Sequence, residues 1–249
     1  MIFNDTTNRQ GLIQDAEDIC GLGATGITGN TSLFQQFTRW MNIWNKIGAS
    51  YVILSFDGHD FDDPNYTTLP SGTLTGTTNR DYNLDPTYLM LKFKKAEVTY
   101  DGTNYQPASI LDDRDYPNVA FNDPNVDKLF SSPYIDLTAS GFKLYPKFTP
   151  AQIAAGAKVW VEFYRAPREF ATSGTDNYTP GFDFQFHRLP SLGASFEYAK
   201  LYKPDLMPQL RADIYGTAQQ RGMLKEMQQW YVSKSPSNGR FNFLKENNQ

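Results

Sequence analysis

Lys158-Val159-Trp160-Val161-Glu162-Phe163-Tyr164 alternates with a period of two. Val159, Val161 and Phe163 fall on one face, and Trp160, Glu162 and Tyr164 on the other, the pattern of a β-strand. Apolar or aromatic groups on both faces predict a strand covered on each side, by helices or by a neighbouring subunit. Upstream, Leu89, Leu91 and Phe93 alternate with Met90, Lys92 and Lys94. Val98-Thr99-Tyr100 then runs into Asp101-Gly102, a hairpin-turn signal. Residues 134–138 and 142–145 flank Ser140-Gly141 and predict a second hairpin. Residues 57–87 are crowded with Asp, Asn, Thr, Gly and Pro and read as a long loop.

Outside this region the period becomes helical. Thr7 and Gln10 have the spacing of a capping box, with Leu12, Ile13, Ala16, Ile19 and Cys20 following at helical intervals. The glycine-rich residues 21–30 break that helix. Ser32 and Gln35 make a second capping box, and Leu33, Phe37, Trp40, Trp44 and Ile47 form one stripe that Gly48 closes. Residues 186–201 predict a helix with Pro190 in its first turn, where proline is tolerated. Pro208 opens a second, longer helix with Leu210, Ile214, Ala218, Arg221, Leu224, Gln228 and Tyr231 along one side, weakened by Gly216 and Gly222. The expected fold class is α+β. N- and C-terminal helices (residues 1–50 and 181–235) form a helical layer, with a β-rich insert of residues 51–180 in the middle. Residues 236–249 make a tail that is mobile or docks on a partner.

Composition narrows the function. With 249 residues, 40% hydrophobic and 15% aromatic, the chain can bury a substantial core. Acidic residues outnumber basic ones, 27 to 23, for a formal charge of -4. Proteins whose main task is gripping nucleic acid carry a basic excess, because affinity comes from neutralising phosphates. The single cysteine, Cys20, allows no intrachain disulfide. The first residues have neither the basic nor the apolar region of a signal peptide, and the longest apolar run, residues 51–56, is far short of a membrane span. The triplets at Asn4, Asn30, Asn65 and Asn177 match the glycosylation pattern, but without a secretory route they read as chance products of Asn/Thr-rich loops. The expectation is a protein made and folded in a reducing cytoplasm, with no membrane association.

No chemistry-bearing constellation emerges. Gly21-Leu22-Gly23-Ala24-Thr25-Gly26 matches G-x-G-x-x-G, but a helix rather than a strand precedes it, so an interhelix turn is the better reading. Asp57, His59, Asp60, Asp62 and Asp63 lack calcium-loop spacing and read as a solvated loop or a charged subunit contact. His187 sits in no recognisable motif. Cys20 lies on an apolar stripe and reads as a packed core thiol. Asp113-Arg114-Asp115 reads as a charged turn. The expectation is no catalytic site, no cofactor and no metal. The many aromatics could line a sugar-binding face, although the helical stripe and the patterned strand already account for Trp40, Trp44 and Trp160.

Several phrases, in their order, resemble the head-to-tail adaptor (connector) proteins of tailed bacteriophages. They are Leu33-Phe34-Gln35-Gln36-Phe37-Thr38-Arg39-Trp40-Met41-Asn42, then Phe142-Lys143-Leu144-Tyr145-Pro146, then Val159-Trp160-Val161-Glu162-Phe163-Tyr164-Arg165-Ala166-Pro167, and finally helices like 186–202 and 208–231. The resemblance spans roughly residues 5–235 and is weakest over 57–130. It implies a homo-oligomeric ring of about twelve subunits in the virion neck. That ring meets the portal protein on one side and tail or nozzle proteins on the other, and genomic DNA passes through it without specific binding. Other readings are a tail terminator, tail hub or fibre-attachment ring, and a tail-associated carbohydrate-binding module. For portal docking the candidates are Arg240, Phe241, Phe243 and Leu244, since two Phe and a Leu in a polar tail have nothing local to pack on. The alternative is that this tail folds back on its own helix.

Overall fold

The structure is a computed structural model, and it describes residues 1–55, 71–86, 90–111, 121, 123, 125–172 and 177–233. The chain divides into two compact units, one of Met1–Thr67 with Ala166–Gln249 and the other of Thr68–Arg165.

Among the described residues the second unit carries seven strands: β1 (Ser71–Thr75), β2 (Asp81–Asn83), β3 (Met90–Thr99), β4 (Tyr105–Ile110), β5 (Tyr134–Thr138), β6 (Gly141–Tyr145) and β7 (Lys158–Arg165). They form one sheet in the order β1-β7-β3-β4-β5-β6-β2, antiparallel except between β4 and β5. β1 and β2 stand at opposite ends of that order, yet only residues 76–80 join them. Laid flat, the end strands would lie about 29 Å apart, at about 4.8 Å per spacing. The connection reaches only about 20 Å when fully extended. The sheet therefore curls into a nearly closed, barrel-like form.

This sheet overturns the expected fold class. The protein is a mixed α/β chain dominated by a barrel-like sheet, not a layer of terminal helices carrying an insert. The expected loop of residues 57–87 contains β1 and β2, the two strands that bring the sheet round to near closure. Their sequences, SGTLT and DYN, are too short and polar to show a period. Both predicted hairpins form. β3 and β4 meet around Gly102, whose φ is 80°, and Asp101 accepts from the amides of Thr103 and Asn104 at 2.9 and 2.8 Å. β5 and β6 pair from Tyr134↔Tyr145 to Thr138↔Gly141.

Val159, Val161 and Phe163 of β7 join Ala96, Val98, Ile135, Phe142 and Leu144 in the inner core of the sheet. Trp160 and Glu162 point outward, where Lys95 covers the Trp160 ring at 5.0 Å and Lys94 bonds Glu162 at 2.7 Å. Ionic and cation–π contacts thus cover the second face of β7. Tyr145 turns outward into a smaller cluster with Leu111, Val126 and Phe130. A short helix, α3 (Pro150–Ala154), follows a capping box of Thr149 and Gln152, a signal present in the sequence but unread.

The first unit holds α1 (Leu12–Ile19), α2 (Thr31–Ser55), α4 (Leu189–Tyr202), α5 (Met207–Tyr215) and α6 (Met223–Ser233). α4 packs on α1, α2 and α5, and every residue from 189 to 196 is buried. A helix apolar all round must be surrounded, which is why its neighbours gather about it and no layer forms. Gly193 lets it approach α2, since a Cβ there would lie 2.1 Å from the Trp44 ring. Gly48 does not close α2. The helix runs through it, and a Cβ at that position would meet the Phe182 ring at 2.6 Å. The predicted caps shift as well: Gly11 precedes α1, and Asn30 caps α2 by accepting the Leu33 amide at 3.1 Å. The long helix expected from Pro208 is two helices, separated at Gly216, whose φ of 89° favours glycine. No helix among the described residues is long and apolar enough to cross a membrane.

Candidate functional site

The glycine-rich turn after α1 is occupied by the protein's own carboxylate. Glu17 is fully buried, and its Oε1 accepts from the amides of Ile27 and Thr28 at 3.0 and 3.1 Å. Arg9 Nη1 lies 3.2 Å from Oε2, close enough for an ion pair but without hydrogen-bond alignment. The amides just past the glycine motif are thus bonded to Glu17 and not open to an anion. Cys20 is buried in the same core, and burial pushes its thiol up, against weaker opposing effects of Ser195 and Lys203. It is a packing residue, as expected.

His187 is also internal. Its Nε2 lies 2.8 Å from the Phe182 carbonyl and its Nδ1 2.9 Å from the Met1 amine. Those partners fit the neutral ring protonated on Nε2, with Nδ1 accepting. Burial, reinforced by the facing amine, pulls its pKa below the ordinary 6.5. Both ring nitrogens are thus committed to the fold.

Among the described residues, two clefts on the helical unit share no lining residue. The first lies along α2. Asn42 fixes the segment after β7 by accepting the Phe170 amide at 2.7 Å and donating to its carbonyl at 3.1 Å, and Lys46 pairs with Glu169. Beside this segment is a cleft of about 700 Å³ bordered by Thr38, Arg39, Asn42, Ile43 and Lys46. Ile43 is 48% exposed, and Arg39 is exposed with no partner among the described residues.

The second face is a cleft of about 380 Å³ between α1, α4 and α5. Its apolar lining is Ile19, Leu192, Leu206 and Leu210. Asp15 is held by Arg188 at 3.1 Å and by the Ser191 hydroxyl. Asp18, with 69% of its side chain exposed, faces Arg9 at 3.3 Å. Asp213, on α5, has no partner among the described residues. Elsewhere Phe184, Leu201 and Tyr202 are exposed at 81%, 64% and 56%. An isolated exposed apolar side chain is ordinary, but several large ones on one unit suggest contact surfaces.

The sequence-level candidates for portal docking, Arg240, Phe241, Phe243 and Leu244, lie outside the described residues. So do Asp57, His59, Asp60, Asp62 and Asp63, and Asp113-Arg114-Asp115. Sequence reasoning missed Arg39, Ile43, Asp18 and Asp213. The first two sit on α2 off its apolar stripe, a signal available in the sequence, whereas the Asp18–Asp213 cleft joins residues far apart in the chain. Compared with known proteins, the chain matches no family model and no curated protein.

Proposed function

We propose that this chain is a virion structural protein, a head-to-tail adaptor subunit that assembles in a ring between a portal and a tail and performs no catalysis. The observation that carries the reading is the pair of separate exposed faces on the helical unit, one along α2 and one between α1, α4 and α5. A ring built head to tail needs two different surfaces on each subunit, whereas a two-fold dimer needs one surface used twice. The order of sequence phrases that resembles the adaptor family supports the same reading, and so does the acidic balance of the chain, which suits a channel that DNA traverses without being held.

The test is native mass spectrometry of the purified protein, alone and with a portal ring from the same source. A ring whose symmetry follows the portal is expected. A trimer or hexamer that ignores the portal would assign the protein to the tail. Removal of residues 236–249 is expected to abolish portal binding while leaving the melting temperature unchanged. Unaltered binding would remove Arg240, Phe241, Phe243 and Leu244 from that role.

A further inference from the structure

We infer that the α2 face of one copy seats in the α1–α4–α5 cleft of the next, with Arg39, Ile43 and Lys46 against Asp18 and Asp213. The inference rests on the ring reading and names its contact. Arg39, Ile43 and Lys46 recur at i, i+4 and i+7, so they share one stripe of α2 spanning about 10 Å. The stripe places one exposed apolar side chain between two cations on the α2 wall of its cleft. The α1–α4–α5 cleft offers the opposing set, with Leu192 and Leu210 in its lining, Asp18 on the α1 wall and Asp213 on the α5 wall.

Charge decides the occupant. Three carboxylates line the cleft: Asp15 is bonded to Arg188 and Asp18 faces Arg9, which leaves Asp213 as the one with no partner among the described residues. Asp213 and Arg39 are each without a partner among the described residues, so pairing them breaks no contact among those residues. Lys46 has Glu169, but an exposed pair of that kind is worth little and can be shared or exchanged. A neighbouring copy supplies the exposed Ile43 and the cations together. The two faces share no residue, as a head-to-tail contact requires, and such a contact leaves a free face at each end until a ring closes.

The test uses charge reversal on the full chain. Arg39→Glu and Asp213→Arg are made singly and together, and assembly is read by native mass spectrometry with and without the portal ring. Each single variant sets like charges against each other, and association at least about tenfold weaker than wild type is expected. The double variant restores opposite charges at every contact, as does a one-to-one mixture of the two single variants, and both are expected to assemble like wild type. Melting temperatures near wild type show that the single variants fold. Single variants that assemble normally overturn the inference, as does a double variant as weak as the singles. A closed dimer overturns the head-to-tail geometry. If wild-type rings form and the variants do not matter, only this contact falls. If wild-type protein neither self-associates nor loads on the portal, the ring reading falls with it.

Discussion

Glu17 shows how a single residue changes the meaning of a motif. The glycines at positions 21, 23 and 26 suggest a phosphate cradle when read alone, but the carboxylate one helical turn earlier satisfies the amides of Ile27 and Thr28. Helical spacing already puts Glu17 on the buried face, at i+4 from Ile13 and i−3 from Cys20, but it does not say which amides the carboxylate meets. His187 poses the same problem and yields a pH prediction. Its folded pKa lies below the ordinary 6.5, chiefly through burial, with the Met1 amine adding to the effect and Asp183 opposing it. The Met1 amine is itself shifted below its ordinary 8.0 by burial. For both groups the unfolded chain binds protons more readily than the folded one, so the stability they contribute is present above the unfolded values and is lost as pH falls. The melting temperature is expected to drop as pH falls from about 8 towards the depressed folded value of His187. In His187→Gln the part of that slope below pH 6.5 should flatten. An unchanged slope would mean that other groups govern the acid limb.

Helices and strands obey local rules unless a neighbour intervenes. The stripe of Phe37 and Trp44 predicts α2, and the alternation of β3 and β7 predicts two central strands, because both periods reflect burial of one face. The stop at Gly48 fails because that glycine serves packing on Phe182, not termination. Gly193 on α4 allows a quantitative test. In an exposed helix interior, glycine to alanine gains up to about 1 kcal/mol. Here the new Cβ would lie 2.1 Å from a Trp44 ring that is only 3% exposed, so the ring cannot swing into solvent. Overpacking costs about 1–3 kcal/mol and should outweigh the helical gain. Gly193→Ala is therefore expected to lower the unfolding free energy in a denaturant titration. A stabilised variant would show that α2 and α4 can separate cheaply.

For the whole molecule, the segregation of the seven strands and their two apolar clusters within Thr68–Arg165 carries its own expectation. That segment of about 100 residues has the size of an ordinary domain. Expressed alone, it should give a β-type circular dichroism spectrum and one cooperative melt. A broad, non-cooperative transition would mean that the sheet depends on the helical unit. The sequence by itself determined the existence of α1, α2, α4 and both hairpins, and the grouping of Val159, Val161 and Phe163 on one strand face. Each of these is a local record of one buried face, spaced at 3.6 or 2 residues. Only the tertiary structure decided that the sheet nearly closes, that helices surround α4 and form no layer, and that Asp18 and Asp213 wall one cleft. Near-closure depends on the short reach of residues 76–80 and on two polar strands with no visible period. The cleft depends on residues almost 200 positions apart, joined by long-range packing that no local spacing encodes.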